Sequence, residues 1–443
     1  MKRLTDVFAI SAVICLTAFA GISCNRNVFD IDTYKELAKT KSPVDTVDAN
    51  HTWKLYSENT VIIDPSGATD ARKLQVLTAD PAASAGATLL AQTIVDGSER
   101  FSMQVCVPAN ISTLYYALVD GDGGYTVVRA SASQRDISFA SPLYQGQKPS
   151  YTPKPHYFAF CYEQELPEFG DYDYNDVVMH IALEQTGAKE MQFHVKVAAV
   201  GASEQLAGLI RLPGYKYDDV DTVFTVGDKS FNVNMHGENI KRQNVYVETE
   251  KQMNALLLEG RQDEAILNLF ADAHWAVGEV RNTEYDGALF VRKKYNVGYG
   301  ATTTTAELQP REITFVMRFK DGEQLRYLTL EDIDPFVMRI YGNNRREIHT
   351  YTYRAVDALW ENKFVDIQNL PWALVVPTGD FYHPLEGVNI GFRMKTEYTN
   401  NGEVLWGAYA VSGHSFGEWS VNRNKATDWY ENQYATQSMV YVW

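Results

Sequence analysis

Cysteine is scarce in this chain: the 443 residues include only 4. Such a count excludes a small scaffold held together by many disulfides. Cys15 and Cys24 lie close to the N terminus, which leaves Cys106 and Cys161 for the rest of the chain, each in a strand-like run. An oxidising compartment would permit a disulfide between Cys106 and Cys161. Two buried free thiols explain the same residues equally well, because free cysteine often acts as a small core residue.

Several well-known catalytic motifs are also lacking. The sequence contains no His-Glu-x-x-His zinc motif, no Gly-x-Gly-x-x-Gly turn and no P-loop. Its 9 histidines are scattered along the chain. A glycosidase needs two opposed carboxylates, but a chain this acidic offers such pairs by chance. We therefore expect a protein that is not an enzyme.

Positive charge is in deficit, since 40 Lys and Arg residues face 56 Asp and Glu residues, for a net charge of −16. A strongly acidic chain repels nucleic-acid phosphates and anionic lipid headgroups. We expect no nucleic-acid partner for this reason. The same charge balance suits metal cations and neutral ligands.

Long apolar runs are lacking outside the N terminus. Lys2 and Arg3 precede an apolar stretch from Val7 to Ile22, which is shorter than the roughly 20 residues that a membrane-spanning helix needs and is typical of a secretory signal. The next residues, Ser23 and Cys24, complete a Gly-Ile-Ser-Cys sequence that is similar to a bacterial lipobox. We predict a signal peptide at residues 1–23 and lipidation of Cys24. The lipid would anchor the protein to the outer membrane, facing the cell surface or the periplasm, whereas an ordinary signal peptide is the alternative.

Aromatic residues are plentiful, with 27 Tyr and 20 Phe. Aromatic and β-branched residues favour strands. Short strand-like runs follow one another at intervals of about ten residues, a spacing typical of sandwiches. The fold class that we predict is mostly β, with two or three antiparallel β-sandwich-like domains and few short helices.

Turn-forming and polar segments suggest where this chain divides. Residues 146–155 contain Pro149, Pro153 and Pro155 and are predicted to be a linker. The predicted divisions are a lipidated flexible tether (24–50), an N-terminal β-sandwich-like domain (51–145), a larger β domain (155–435, with a subdivision near 285) and a C-terminal strand (436–443).

The most highly charged segment spans residues 163–176, which contain six carboxylates and no Lys or Arg. Two unit charges about 6 Å apart repel by roughly 0.7 kcal/mol even in water. The segment lies between the strand-like runs 156–162 and 177–183, so ordered flanks hold it in a loop. Six like charges held close together need a compensating partner.

The spacing of the polar residues in this loop indicates a cation. Asp171, Asp173 and Asn175 alternate, so in extended backbone their side chains point to one side. Ca²⁺ takes about 6–8 oxygen ligands, and carboxylates and amide oxygens suit it. An EF-hand is excluded, because its sixth position would be Asp176 instead of Gly. The predicted Ca²⁺ ligands are Glu163, Asp171, Asp173, Asn175 and Asp176, and the alternative is a solvated acidic turn.

The acidic loop also resembles the hallmark of a known family. Glu163 followed by Gly-Asp-Tyr-Asp-Tyr-Asn-Asp-Val-Val at 170–178 is similar to the motif of the LruC-domain family of bacterial surface lipoproteins. Further similar elements follow in order at 198–213, 332–336, 347–349, 370–374, 384–386 and 428–430, so the resemblance spans roughly 155–435. Gln164 departs from the usual Asp, which removes one potential ligand. The resemblance implies a β-rich domain of the cell envelope with a Ca²⁺ motif, and no known activity.

Two functions fit this chain, and the tryptophans concentrated near its C terminus bear on the choice between them. We expect a lipid-anchored envelope protein that acts as a binding, adhesion or surface-structure module, with an extracellular glycan or protein as its ligand. The alternative is a glycan-binding or carbohydrate-active lipoprotein, because exposed tryptophans stack on sugars, whereas buried ones form a core. The clustered tryptophans are Trp360, Trp372, Trp406, Trp419, Trp429 and Trp443.

Overall fold

The structure is a computed structural model of the chain. It describes residues 31–44, 46–66, 71–95, 99–166, 168–202, 204–228, 231, 233–235, 263–277, 312–341, 344–355, 364–391 and 407–441. The predicted signal peptide, Cys24 and the predicted subdivision near 285 lie outside these residues. Within them, no helix has both the length and the apolar character needed to cross a membrane.

Nine strands form the N-terminal part of the fold. They are β1 (Tyr56–Asp64), β2 (Ala71–Leu77), β3 (Thr88–Ile94), β4 (Phe101–Pro108), β5 (Thr113–Asp120), β6 (Tyr125–Ser131), β7 (Asp136–Ser138), β8 (Tyr144–Gln147) and β9 (Lys154–Pro155). One sheet has the order β4-β1-β7 and the other the order β8-β6-β5-β2-β3-β9. Alternate residues of β1, such as Val61 and Ile63, pack against Val76 and Tyr116 of the facing sheet. This burial of one face of each sheet produces a sandwich.

The turn between β5 and β6 contains a run of aspartate and glycine. Asp120 accepts hydrogen bonds from the backbone N–H groups of Asp122 and Gly124 through its Oδ1 atom. Gly123 has a φ of 80°, a conformation that glycine adopts readily. These contacts close a tight hairpin turn.

A second pair of sheets follows. Its strands are β10 (Phe158–Tyr162), β11 (Val177–Gly187), β12 (Glu190–Ala199), β13 (Gln205–Lys216), β14 (Val220–Val226), β15 (Asn234–Met235), β16 (Glu264–Phe270), β17 (Glu312–Phe319), β18 (Asp334–Tyr341), β19 (Asn344–Ile348) and β20 (Ala373–Val376). A six-stranded sheet has the order β14-β17-β12-β11-β10-β20, and a five-stranded sheet the order β15-β16-β13-β18-β19. The mostly β, sandwich-like fold is therefore confirmed.

The six-stranded sheet buries both of its faces around β10. Phe160 and Tyr162 belong to the core between the two sheets. Ala159 and Cys161 point to the other face and pack with aromatic residues from the C-terminal part of the chain, among them Trp429. Two cores thus meet at the strand that leads into the acidic loop.

Helices are short among the described residues. They are α1 (Ile31–Lys41), α2 (Ala273–Ala276) and α3 (Phe416–Val421). A two-strand hairpin of β21 (Ala410–Val411) and β22 (His414–Ser415) precedes α3. Every residue of β16 is buried.

Three predicted segments fall partly within the described residues. The expected linker at 146–155 contributes residues to β8 and β9, and residues 41–443 form one compact unit. Within the expected tether at 24–50, Ile31–Lys41 form α1, Ser42 and Pro43 are buried, and the backbone N–H of Asp48 donates to the carbonyl of Ser420. Within residues 436–441, the described part of the expected C-terminal strand, Val440 forms an isolated bridge with Pro384. The other predicted domain boundaries stay a prediction.

Cys106 and Cys161 are both buried free thiols. Of the two hypotheses, a disulfide between them and two buried free thiols, the structure has the second. Cys106 packs in the core between the second pair of sheets, whereas Cys161 faces the aromatic core on the other side of β10. A disulfide needs Cα atoms within about 7 Å, and the sheet stands between the two thiols. Burial raises the pKa of Cys106 to about 12 and also raises that of Cys161.

Candidate metal site

The acidic loop 163–176 connects two neighbouring strands. β10 and β11 pair in antiparallel register, with Tyr162 opposite Val177, so the loop begins and ends at the same end of these two strands. On the other side of β10, the backbone N–H of Glu163 donates to the carbonyl of Trp372. The position of Glu163 is therefore fixed by the sheet itself.

Two tyrosines give the loop its shape. Tyr172 and Tyr174 have φ angles of 58° and 52°, a conformation that is unusual for bulky residues. Both side chains are buried, and their hydroxyls donate to Asp366 and to the carbonyl of Pro371. The loop is therefore not the extended strand that the alternation suggested. Such strain often occurs at functional sites.

Turning the tyrosines inward brings carboxylates together on the opposite side. Glu163, Asp171 and Asp173 each offer an oxygen, and these three oxygens lie within 4.8 Å of one another. Ca²⁺ binds oxygens at about 2.3–2.6 Å, so oxygens on opposite sides of one ion lie roughly 5 Å apart. The separation in the loop fits one ion of this size. Three of the predicted ligands thus form one group.

The carboxylate of Glu163 also organises the loop backbone. Its Oε1 accepts the N–H of Tyr174 at 2.6 Å, and its Oε2 accepts the N–H of Tyr172 at 3.3 Å. A carboxylate oxygen has two lone pairs, so each oxygen keeps capacity for a cation. Gly170 is required beside it, because a β-carbon there would overlap Glu163 Oε2.

Asp176 belongs to a second group. It lies with Glu163 and Glu165, again with one oxygen from each residue within 4.8 Å of the others. Its Oδ2 accepts the backbone N–H of Gln164 at 2.7 Å. The structure therefore divides the predicted ligand set between two groups that share Glu163, and it adds Glu165, which the sequence analysis did not assign.

Asn175, the fifth predicted ligand, lies next to Asp173, whose Oδ1 accepts the backbone N–H of Asn175 at 3.2 Å. Its side chain is fully buried, and its Nδ2 donates to the carbonyl of Pro384 at 3.0 Å. Its Oδ1 has no hydrogen-bond partner among the described residues. Buried polar atoms are nearly always satisfied, and an exception calls for an explanation such as an ion.

Burial and mutual repulsion dominate the electrostatics of the loop. Burial raises the pKa of Glu163 well above its usual value, and the charges of Asp171 and Asp173 raise it further. The pKa of Asp173 is also raised well above its usual value, by burial and then by Asp171 and Glu386. Two unit charges 4.8 Å apart repel by about 3 kcal/mol at an effective dielectric constant of ~20. A cation bound among these carboxylates would offset both the burial and the repulsion.

A further buried charge cluster provides a contrast. Arg211 is fully buried and donates to Glu264 at 3.1 Å and to Glu347 at 3.2 Å. His349 contacts Asp334 and Glu347. Burial alone would lower the pKa of His349, but Asp334 and Glu347 raise it to about 9. Each carboxylate here has a cationic partner within the protein, so this cluster has the character of a structural ion-pair network.

One motif known from catalytic sites does occur near the C terminus. Gly413-His414-Ser415-Phe416-Gly417 matches the Gly-x-Ser-x-Gly pattern of serine hydrolases. In the structure, Ser415 caps α3: its Oγ accepts the N–H of Glu418 and donates to the Glu418 carboxylate. The hydroxyl is therefore committed to a capping box, and the motif has a structural explanation.

The tryptophans that motivated a glycan-binding alternative are core residues wherever the structure describes them. Trp372, Trp419 and Trp429 are at most 2% exposed. Trp419 and Trp429 pack against each other and against Phe416. Trp360, Trp406 and Trp443 lie outside the described residues.

Comparison with known proteins adds a family match. Residues 188–399 match the family model described as a domain of unknown function, DUF4842. The match covers less than half of the chain and begins after the acidic loop. No curated protein matches the chain. The LruC-domain resemblance is not named by these comparisons and stays a prediction.

One solved structure aligns over most of the chain. It is described as "Crystal structure of a Putative lipoprotein from Bacteroides ovatus". The alignment covers 85% of this chain and 100% of the other chain, with 15% sequence identity and a TM-score of 0.43. At this identity and score, we draw no functional argument from the likeness.

Proposed function

We propose that this protein is a lipid-anchored module of the bacterial cell envelope, with a binding, adhesion or structural role, and that its acidic loop holds Ca²⁺. One observation carries the proposal: the carboxylates of Glu163, Asp171 and Asp173 converge within 4.8 Å. The all-oxygen donor set favours a hard cation such as Ca²⁺. Anchoring rests on the predicted signal peptide and lipidated Cys24.

The role of the ion follows from the position of the loop. The carboxylates are held at the end of β10 and β11, against the C-terminal part of the chain, so a bound cation would neutralise repulsion at a junction between elements. Extracellular modules typically bind Ca²⁺ with a Kd of about 10⁻⁴–10⁻³ M. At a hundredfold excess over Kd, binding would stabilise the fold by about 2.7 kcal/mol.

Thermal unfolding in EDTA and in excess Ca²⁺ tests the proposal. The wild-type midpoint should rise with Ca²⁺, and the double variant Asp171→Asn/Asp173→Asn should lose this rise. A double variant of the exposed acids, Asp321→Asn/Glu323→Gln, is the control and should keep it. A wild-type midpoint that does not respond to Ca²⁺ would refute the metal site.

The glycan-binding alternative gains no support from the structure. It was suggested by clustered tryptophans, and the described members of that cluster lie in the core. A glycan array with the purified ectodomain would test it directly.

A further inference from the structure

Asn175 is oriented by its surroundings. Because its Nδ2 donates to the carbonyl of Pro384, its Oδ1 must point away from that carbonyl. The backbone carbonyl of Asn175 accepts the N–H of Gly201 at 2.8 Å, which holds Gly201 against the asparagine. The unsatisfied Oδ1 therefore faces a defined part of the structure.

Asn175 Oδ1 and Glu386 both lie beside the position that a β-carbon of residue 201 would occupy. A β-carbon at position 201 would overlap Asn175 Oδ1 and would lie 2.6 Å from Glu386 Oε2. The amide oxygen and the carboxylate oxygen are thus close neighbours around a position that has no side chain. Two acceptor oxygens that approach each other repel, and a proton or a metal cation between them relieves the repulsion.

The segment that carries Glu386 lies against the acidic loop. The N–H of Gly387 donates to Asp173 Oδ2 at 2.7 Å. A β-carbon at Gly387 would be only 3.9 Å from Asp171 Oδ2. Glu386 is therefore adjacent to two of the carboxylates that form the first ligand group, although it is more than 200 positions away in sequence.

We propose that Glu386 and Asn175 Oδ1 are further ligands of the Ca²⁺ ion bound by Glu163, Asp171 and Asp173. This inference rests on the proposed function. It assigns a ligand from a distant segment, so the ion would clamp residues 384–387 onto the acidic loop. Because Asn389 donates to the carbonyls of both Asp171 and Lys41, the clamp would also secure the start of the compact unit.

Calorimetric titration of the full ectodomain with Ca²⁺ tests the assignment. Glu386→Gln preserves shape, and its amide can donate to Asn175 Oδ1, so the variant should be at least as stable as the wild type in EDTA. Its Ca²⁺ affinity should fall at least about tenfold. Glu323→Gln, which removes an exposed charge, is the matched control and should bind as the wild type does.

Hydrogen exchange provides an independent readout. Ca²⁺ should slow exchange of the Gly387 amide in the wild type and should have a smaller effect in Glu386→Gln. If Glu386→Gln binds Ca²⁺ with wild-type affinity, the assignment is wrong while the proposed metal site stands. If the wild type itself binds no Ca²⁺, both fail. Should Glu386→Gln not fold, Gly201→Ala fills the same space, and unchanged affinity in that variant overturns the inference.

Discussion

The backbone N–H of Gly387 donates a 2.7 Å hydrogen bond to the carboxylate of Asp173, which lies 214 positions earlier in the chain. This contact joins the acidic loop to a segment near the C terminus. It places the loop at an internal junction, although its charge would be typical of a solvated turn. Three of the six loop carboxylates, those of Glu163, Asp173 and Asp176, are correspondingly buried, and Asp173 is only 1% exposed.

Replacing Gly170 should disrupt the metal site through one carboxylate. In Gly170→Ala, the new β-carbon would overlap Glu163 Oε2, so the Glu163 carboxylate must shift from its position beside Asp171 and Asp173. We expect Ca²⁺ affinity to fall at least about tenfold, measured by calorimetry. Gly214→Ala is the matched control, because a β-carbon there meets nothing within 4 Å. Equal Ca²⁺ affinity in the two variants would contradict the role given to Glu163.

The stability gained from Ca²⁺ should increase with pH. In the Ca²⁺-free protein, burial raises the pKa values of Glu163, Asp173 and Asp176 above their ordinary values of 4.5, 3.8 and 3.8, and neighbouring carboxylates raise them further. The folded, Ca²⁺-free protein then holds protons that the unfolded chain releases. The stability that these protons contribute is full below about pH 4 and declines as the pH rises through the raised pKa values. Ca²⁺ replaces these protons.

The measurement is the difference in unfolding midpoint between Ca²⁺ and EDTA at pH 5.5 and at pH 8. We expect a larger difference at pH 8. Taking this difference at each pH cancels the contribution of the histidines. Burial lowers the pKa values of His51, His180 and His383 to about 4, 3 and 3, whereas that of His349 is raised to about 9. A Ca²⁺ effect that is the same at both values would count against carboxylate ligands.

Arg211 should be a strong determinant of stability. Arg211→Met would leave Glu264 and Glu347 without their shared guanidinium in a buried environment. Removing one partner of a buried ion pair typically costs about 3–5 kcal/mol. Denaturant unfolding should show this loss for Arg211→Met, whereas Arg318→Met, which breaks a partly exposed pair with Glu190, should cost no more than about 1 kcal/mol. A loss below about 1 kcal/mol for Arg211→Met would mean that the network is dispensable.

Cys24 should determine attachment to the membrane. Cys24→Ala removes the thiol that would receive the lipid, so the protein should move from the membrane fraction to the soluble fraction of cells. Mass spectrometry of the native N terminus should find an acylated Cys24 in the wild type. An uncleaved, unacylated N terminus would rule out the lipoprotein prediction.

Much of the fold was readable from local patterns. The runs around Val61, Phe101 and Tyr125 are strands in the structure, because alternation and aromatic content are local properties that favour a pleated, half-buried chain. The linker at 146–155 stays a prediction, because only its two ends form strands, in β8 and β9. Proline is tolerated at sheet edges, and Pro155 belongs to β9, the edge strand of its sheet.

The acidic loop shows which features the sequence alone could not predict. Its composition by itself determined that several carboxylates must lie close together between two strands and need compensation, because charge and spacing are properties of the chain. Only the tertiary structure decided that Tyr172 and Tyr174 turn inward and that Asp176 joins a different group from Asp173. It alone brought Glu386 to the site, since burial and the pairing of distant segments depend on contacts that no local pattern encodes.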